Sequence, residues 1–188
     1  AGRGLFVDGR ADIGSIVAFF PGQVWPREYF LERGFQKKML HHFQNDDNYE
    51  LTFRYDDVLI DSRQPFIDPV LCQNNPWAVA QLVNHPPPQT TYNCRPVMLN
   101  FTFDESYQDD YDLKLLHRYI PNTYARPPKF LGPKIIEGHV RMHGLVLITT
   151  RDVCNEELFM NYRLHPKGKH PAWYTICDEE ENNKRWGL

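Results

Sequence analysis

One stretch of the chain, residues 140–150, limits the possible folds more than any other feature of the sequence. Its centre, Leu145-Val146-Leu147-Ile148, is an unbroken apolar run, which is typical of a buried strand. A turn at Cys154-Asn155 follows, and residues 158–162 then form the second arm of a predicted hairpin. The chain also holds 15 Pro, 12 Phe and 10 Tyr, which favours short strands joined by irregular loops over a helix bundle. The sequence therefore predicts a mainly β fold with irregular segments and few short helices.

Further strands are predicted where apolar and polar residues alternate between turn residues. They cover residues 5–7, 16–20, 49–55, 58–60 and 97–103. The first two flank a turn at residues 9–14 and predict an opening hairpin, and the next two predict a second hairpin. Helices are predicted at residues 26–43, 77–83 and 113–119. Asn75-Pro76 supplies the N-cap and the first helical position of the second helix.

The length of 188 residues fits one domain with a core of its own. Residues 104–138 are polar and proline-rich, which indicates an insert in that domain. No run approaches the roughly 20 apolar residues of a membrane-spanning helix, so we expect a soluble protein without a membrane span.

The formal net charge of −3 disfavours the broad basic face on which nonspecific nucleic-acid binding depends. We therefore expect no direct contact with nucleic acid. Acidic clusters occur at residues 46–47, 109–110 and 178–181. Two interpretations stand: the clusters steer a basic peptide into a cleft, or they belong to solvated loops whose charge keeps the protein soluble.

The four cysteines, at positions 72, 94, 154 and 177, have no zinc-binding spacing. His41-His42 are adjacent in sequence, and such neighbours point to different faces of a helix or strand. We therefore predict no metal site. Scattered thiols favour a reducing, intracellular compartment, and the nucleus, the cytoplasm and the mitochondrion all fit this pattern.

Three short segments carry the candidate functional residues: Gly2-Arg3-Gly4-Leu5-Phe6, Asn84-His85, and Glu156-Glu157-Leu158 through Asn161-Tyr162. Singly, they are a glycine turn, a loop that caps a helix end, and a tyrosine that closes a strand. In this order and at these separations, they resemble the SET domain, the protein-lysine methyltransferase family, over residues 1–162. Ile13-Gly14-Ser15-Ile16-Val17 resembles the family's next strand. Within the family, the likeness is closest to the group of SET domain-containing protein nine, judged from Phe20-Pro21-Gly22, Val58-Leu59-Ile60-Asp61, Asn75-Pro76-Trp77-Ala78-Val79 and Tyr119-Ile120-Pro121-Asn122.

The resemblance implies a SET-domain β-clip fold over residues 1–164 with a C-terminal pseudoknot, in which Asn84-His85 and the terminal motif meet. It implies transfer of a methyl group from S-adenosyl-L-methionine to a lysine of a histone or non-histone protein, with Tyr162 as the catalytic residue. The cofactor-binding residues that it implies are Arg3, Gly4, Asn84, His85, Tyr162 and Trp173. The substrate channel that it implies is lined by Phe20, Phe159 and Tyr174.

The implied chemistry suits these residue types. Methyl transfer is an in-line displacement by a neutral amine, so the site has to orient and desolvate the reactants. Glycines at 2 and 4 let the backbone approach the cofactor, while Asn84 and His85 offer backbone and side-chain hydrogen bonds to it. The resemblance implies that the Tyr162 hydroxyl lies near the methyl group and that carbonyl groups orient that methyl by CH···O contacts. A tyrosine with a reference pKa of about 10 is a poor base, so water removes the lysine proton.

Several features differ from the family pattern. Phe20 replaces a tyrosine, Pro86-Pro87-Pro88 replaces the usual continuation, and Asn155 replaces glycine in a shortened turn. The family's zinc segment is absent, so the tail (165–188) either acts as a lid, with Trp173 stacked on adenine, or is pinned to the core by its apolar residues. The alternative function is a SET fold without chemistry that serves as a scaffold or binding subunit of a larger assembly.

Overall fold

The structure is a computed structural model, and it describes residues 3–25, 51–53, 58–63, 67–104, 120–124, 134–136 and 139–188. Among these residues strands predominate and two α-helices occur, which confirms the mainly β prediction. The strands are β1 (Leu5–Phe6), β2 (Arg10–Ala11), β3 (Ile16–Phe19), β4 (Gly22–Trp25), β5 (Leu51–Phe53), β6 (Leu59–Asp61), β7 (Cys94–Asp104), β8 (Asn122–Tyr124), β9 (Lys134–Ile136), β10 (His139–Thr149), β11 (Val153–Cys154) and β12 (Glu157–Leu158). The helices are α1 (Pro69–Asn74) and α2 (Glu179–Trp186), and Ala80–Leu82 form a turn of 3-10 helix. Within the described ranges, no helix has the length and apolar character needed to cross a membrane.

The chain divides into two compact units. The first comprises Ala1–Val17, Leu82–Pro96 and Leu147–Leu188, and the second comprises Ala18–Gln81 and Val97–Val146. The first unit thus draws on the beginning, the middle and the end of the chain. It contains all of the predicted site residues except Phe20.

In the first unit, the beginning of the chain pairs with its end. β1 lies antiparallel to β12, with Leu5 opposite the buried Leu158. β2 lies antiparallel to β11, with Ala11 opposite the buried Val153. Both predicted hairpins that involve these segments, residues 5–7 with 16–20 and residues 140–150 with 158–162, are therefore wrong.

The reason lies in the turns, which are held by distant residues. The backbone N–H of Gly14 donates to the carbonyl of Thr149 (3.0 Å), and that of Ile13 donates to the Asp152 carboxylate (3.0 Å). In the turn between β11 and β12, Asn155 has φ +49°, and its side chain accepts from the Gly9 N–H (2.7 Å). Asn155 thus adopts the left-handed conformation, which asparagine tolerates better than most residues other than glycine.

The strands predicted at residues 140–150 and 97–103 are confirmed as β10 and β7. The sheet has the order β3-β10-β7, and β9 also pairs with β10. Leu145, Val146 and Leu147 are buried, as the unbroken apolar run predicts.

The second unit contains a sheet of order β5-β6-β4-β8. The predicted second hairpin is confirmed, because β5 and β6 are antiparallel with Phe53 opposite Leu59. Next to the end of β6, Asp61 and Arg63 form a buried ion pair with bonds of 2.9 and 2.6 Å. A buried charge pair of this kind must satisfy its own hydrogen bonds to be tolerated.

The predicted helix at residues 77–83 is wrong. The Asn75 side chain accepts from the Trp77 N–H (3.0 Å), and the Trp77 carbonyl accepts from the Phe19 N–H (2.7 Å). That carbonyl is therefore not used by a helical turn, and only Ala80–Leu82 adopt 3-10 geometry. The helices predicted at residues 26–43 and 113–119 lie outside the described residues.

α2 was not predicted, although its sequence carries helix signals. The Asp178 side chain caps it by accepting from the Glu181 N–H (2.8 Å), and Gly187 ends it at φ +66°. Acidic residues occupy its first turn and basic residues its last, an order that suits the helix dipole.

Candidate functional site

The Asn84 side chain joins the three segments that carry the candidate residues. Its Nδ2 atom donates to the Arg3 carbonyl (3.1 Å) and to Oε1 of Glu157 (2.8 Å). Gly4 lies against the same group, and a Cβ atom built on it would overlap Oε1 of Glu157. The close approach therefore requires glycine at position 4.

The segment that follows β12 is paired with two separate parts of the chain. Phe159 forms a parallel bridge with Asn84, and Met160 forms a parallel bridge with Cys94. The Met160 N–H donates to the Asn84 carbonyl (2.9 Å), and the Cys94 N–H donates to the Phe159 carbonyl (3.2 Å). Residues 159–160 are thus fixed by hydrogen bonds to both.

Asn93 is a structural residue of the site that the sequence reasoning missed. Its buried side chain accepts from the Phe159 N–H (2.7 Å) and donates to the Glu157 carbonyl (2.8 Å) and, at 3.4 Å, to Glu156. Its backbone carbonyl also accepts from the Thr150 N–H (2.9 Å). A single Asn at the start of a strand has no spacing pattern that would reveal such a role.

Tyr162 is held at both ends by residues that flank Asn84. Its hydroxyl donates to the Val83 carbonyl (2.7 Å), and its backbone N–H donates to Nδ1 of His85 (3.3 Å). The Trp173 ring lies edge-on to its ring, at 6.1 Å between centroids and 88° between planes. Both the position and the direction of the phenol are therefore set by the protein.

His85 is buried, with 8% of its surface exposed. Because Nδ1 accepts from Tyr162, the ring hydrogen-bonds to the Thr175 carbonyl as a donor, through Nε2 at 2.7 Å. This assigns the neutral tautomer with the proton on Nε2. Burial lowers the pKa of His85 below its usual value, against the carbonyls of Thr175 and Met160, which favour the charged form.

The tail residue Tyr174 covers the other face of this cluster. Its ring stacks on His85 at 4.5 Å and 28°, and its hydroxyl accepts from the Leu164 N–H (3.1 Å) and the Asn182 side chain (3.3 Å). Trp173 is 44% exposed. Further along, the Trp186 indole donates to the Arg163 carbonyl (2.8 Å). The tail is therefore attached to Arg163 and Leu164 by hydrogen bonds and to His85 by ring stacking.

The predicted channel residues are divided between the two units. Phe159 and Tyr174 lie in the first unit, whereas Phe20 lies in the second, where it is 1% exposed. The Phe20 carbonyl accepts from the Asn122 side chain (3.0 Å) and its N–H donates to the Leu145 carbonyl (3.0 Å). The surroundings of Phe20 are those of a core residue.

A charged pair stabilises the turn before β12. Arg151 donates to both oxygens of Glu156, at 2.7 and 2.6 Å. This bond, with a smaller contribution from the Cys154 N–H, lowers the pKa of Glu156 to about 2. The carboxylate therefore stays ionised throughout the physiological range.

Other candidate chemistry is limited. Burial raises the pKa of the Cys94 thiol to about 12, so this thiol is not a nucleophile at neutral pH. Within the part of the chain that the structure describes, no group of three His, Cys, Asp or Glu residues could hold a metal ion.

No protein-family model matches this chain, and no curated protein matches it.

Proposed function

We propose that this protein is an S-adenosyl-L-methionine-dependent protein-lysine N-methyltransferase with a SET-domain β-clip fold, and that its first unit holds the cofactor. One observation carries the proposal. Residues 3–4, 84–85 and 157–162, which are far apart in the sequence, meet at the Asn84 amide. The same residue types in the same order define the resemblance to the family.

The pairing of residues 159–160 supports the C-terminal pseudoknot. Such a knot requires the end of the chain to pass a loop formed earlier. Here Phe159 and Met160 form parallel bridges with Asn84 and Cys94, the two residues on either side of the loop 85–93. The intervening residues, 85–93, include the three prolines that differ from the family pattern.

The groups around Asn84 fit the amino-acid end of S-adenosyl-L-methionine. Both Nδ2 protons are used within the protein, whereas no donor in the described residues bonds to Oδ1. That oxygen can accept from an ammonium group, and the Glu157 carboxylate beside it attracts the same charge. Gly4 lets this carboxylate lie beside Asn84, because a Cβ atom at position 4 would overlap it.

Tyr162 is the proposed catalytic residue. When bound, the cofactor supplies a sulfonium methyl group for transfer. The Tyr162 hydroxyl directs its proton at the Val83 carbonyl, so its oxygen can accept a hydrogen bond from the incoming amine and orient it. The lysine proton leaves to water, since the phenol keeps its own.

Calorimetric titration with S-adenosyl-L-methionine, followed by transfer of radiolabelled methyl to mixed histones and to total cell protein, tests the proposal. We expect binding in the wild type, and retained binding with about a hundredfold loss of transfer in Tyr162→Phe. Tyr92→Phe is the matched control, because Tyr92 lies in the same unit and its hydroxyl bonds to Asp178. The absence of binding heat at millimolar cofactor would contradict the proposal.

One observation favours the second candidate, a SET fold that acts as a scaffold or subunit without chemistry. Phe20, which is buried in the second unit, has no hydroxyl, whereas the resemblance places a tyrosine at this position. A folded protein that binds no cofactor, together with stable association with another subunit, would support this function instead.

A further inference from the structure

We propose that a cavity in the first unit binds a peptide segment with one acidic and one basic side chain, the acidic one bonded to Arg95 and the basic one to Asp178. The cavity has a volume of about 740 Å³. Its lining includes none of the residues assigned above to the cofactor, to catalysis or to the substrate channel. The inference therefore goes beyond the proposed function and does not rest on it.

The cavity lies where the beginning, the middle and the end of the chain come together in the first unit. Its lining residues belong to the turn at 13–14, to the segment 91–95, to residues 148–151 and to residues 177–181. Ile13 and Arg95 are exposed, whereas Asp178 is half-buried, so the cavity is open to solvent and a ligand can enter. Its volume falls within the range of roughly 300–1,000 Å³ that is usual for ligand sites.

Arg95 and Asp178 are groups of opposite charge without an ionic partner. The Arg95 side chain forms no hydrogen bond, ion pair or ring contact with another residue that the structure describes. The Asp178 carboxylate accepts from the Glu181 N–H (2.8 Å) and from the Tyr92 hydroxyl (3.1 Å), but among the same described residues no cation pairs with it. The two groups line one cavity and yet do not pair with each other.

The other charged residues of the lining are neutralised by residues that do not line the cavity. Arg151 bonds to Glu156, and Glu181 pairs with Arg163 at 3.3 Å. One unpaired charge of each sign is therefore left in the cavity. A ligand that carries both an anionic and a cationic group can satisfy both charges, whereas a ligand of a single sign would be repelled by one of them.

Each of the two groups suits a particular side chain of the ligand. Burial raises the pKa of the Cys177 thiol, and the Asp178 and Glu181 carboxylates raise it further. The thiol is therefore protonated at neutral pH, and the potential on this wall of the cavity is negative, which favours a basic side chain there. The guanidinium of Arg95 can hold a carboxylate by two parallel hydrogen bonds.

The size of the cavity and its apolar residues favour a peptide over a small zwitterion. A volume of about 740 Å³ is more than one free amino acid fills. Ile13, of which 66% is exposed, and Ile148 also line the cavity and offer apolar contacts to further side chains. Several residues of a peptide, two of them charged, match this combination.

The experiment selects binders from a random dodecapeptide library displayed on phage, without cofactor. We expect the wild type to enrich peptides that contain both a basic and an acidic residue. Arg95→Glu should enrich peptides with a second basic residue in place of the acidic one. Asp178→Asn should weaken the preference for a basic residue, because Asn removes the charge and still caps α2.

Lys169→Glu is the matched control. Lys169 is exposed in the same unit and does not line the cavity, and its substitution changes the net charge as much as Arg95→Glu does. For one selected peptide of mixed charge, fluorescence anisotropy should show about tenfold or more weaker binding to Arg95→Glu than to the wild type. Binding to Lys169→Glu should stay within about twofold of the wild type.

Several results would overturn the proposal. They are a wild type that enriches no peptides of mixed charge, the same peptides enriched by Arg95→Glu, displacement of the peptide by an equal concentration of free lysine, and NMR shifts on peptide addition that lie outside residues 148–151 and 177–181. The Asn155 amide, bonded to the Gly9 carbonyl at 2.9 Å, shows whether each variant is folded. If Arg95→Glu is not, Arg95→Gln decides, because it should lose the preference for an acidic residue.

The outcome is separable from that of the proposed function. Peptide binding with the expected charge preference, in a protein that binds no S-adenosyl-L-methionine, would refute the proposed function and leave this site intact. Cofactor binding without peptide binding would do the reverse.

Discussion

The hydroxyl of Tyr162 donates a 2.7 Å hydrogen bond to the carbonyl of Val83, the residue that immediately precedes the Asn84-His85 pair. The backbone of Tyr162 is held by His85. A stretch of only three residues, 83–85, therefore bonds to both ends of Tyr162 and, through Asn84, to residues 3 and 157. Changes in this stretch are expected to affect several segments together.

Asn84→Ala should weaken binding of S-adenosyl-L-methionine about tenfold or more, because it removes both the Oδ1 acceptor and the bonds that join Arg3 to Glu157. Asn183→Ala is the control, since Asn183 is exposed on α2. The measurement is calorimetric titration at equal protein concentration. Equal affinity of the two variants would remove Asn84 from the cofactor site.

Gly4→Ala should lower the free energy of unfolding by about 1–3 kcal/mol, because the new Cβ atom displaces the Glu157 carboxylate from Asn84. Glu157→Ala removes the obstructing group, so the double variant should lose less than the sum of the single losses. Urea unfolding of the four proteins checks this. Additive losses would show that the strain at Gly4 lies elsewhere.

Asn93→Ala should cost about 3 kcal/mol of stability, because it leaves the Phe159 N–H and the Glu157 carbonyl without their partner inside the protein. The exposed Asn183→Ala variant should stay within about 0.5 kcal/mol of the wild type. Chemical unfolding again provides the comparison. A small loss in Asn93→Ala would mean that water replaces these bonds without cost.

The Arg151–Glu156 pair should make stability depend on acid pH. Since the pKa of Glu156 is lowered to about 2 from its usual value of 4.5, the contribution is complete above pH 4.5 and disappears as the pH falls toward 2. A third of the Glu156 side chain, 33%, is exposed, so screening limits the contribution to about 1 kcal/mol or less.

Arg151→Gln tests this dependence. We expect the pKa of Glu156, followed by carbon NMR of its carboxyl group, to rise toward its ordinary value. The loss of stability between pH 6 and pH 3 should become smaller. Glu179→Gln, at an exposed position on α2, should leave both quantities unchanged, and an unshifted Glu156 in Arg151→Gln would contradict the assigned cause.

The sequence predicted the positions of strands better than it predicted which strands pair with each other. β10, β7 and the β5–β6 hairpin follow from apolar runs, alternation and short turns, which are local signals. The pairing of β1 with β12 could not be predicted from alternation, since Leu5 and Leu158 are too far apart for any turn to specify it. Both failed hairpins arose from assigning each strand to its nearest neighbour in sequence.

The candidate site shows the same division. The sequence identified the three segments that contain Gly4, Asn84, Glu157 and Tyr162. The structure brings those segments together. Asn93 could not be identified, because its role depends on two backbone groups of a distant segment. The engagement of both His85 nitrogens also depends on tertiary contacts, and it leaves the side chain no free nitrogen for other bonds.

The pairing of Leu5 with Leu158 has a consequence for biosynthesis. A ribosome must release the chain through Leu158 before Leu5 can find its partner, so the first unit cannot be completed until then. Contacts between such distant residues also slow folding in general. During that interval β1 and β2 lack their partner strands, and unpaired strand edges of this kind are prone to aggregation.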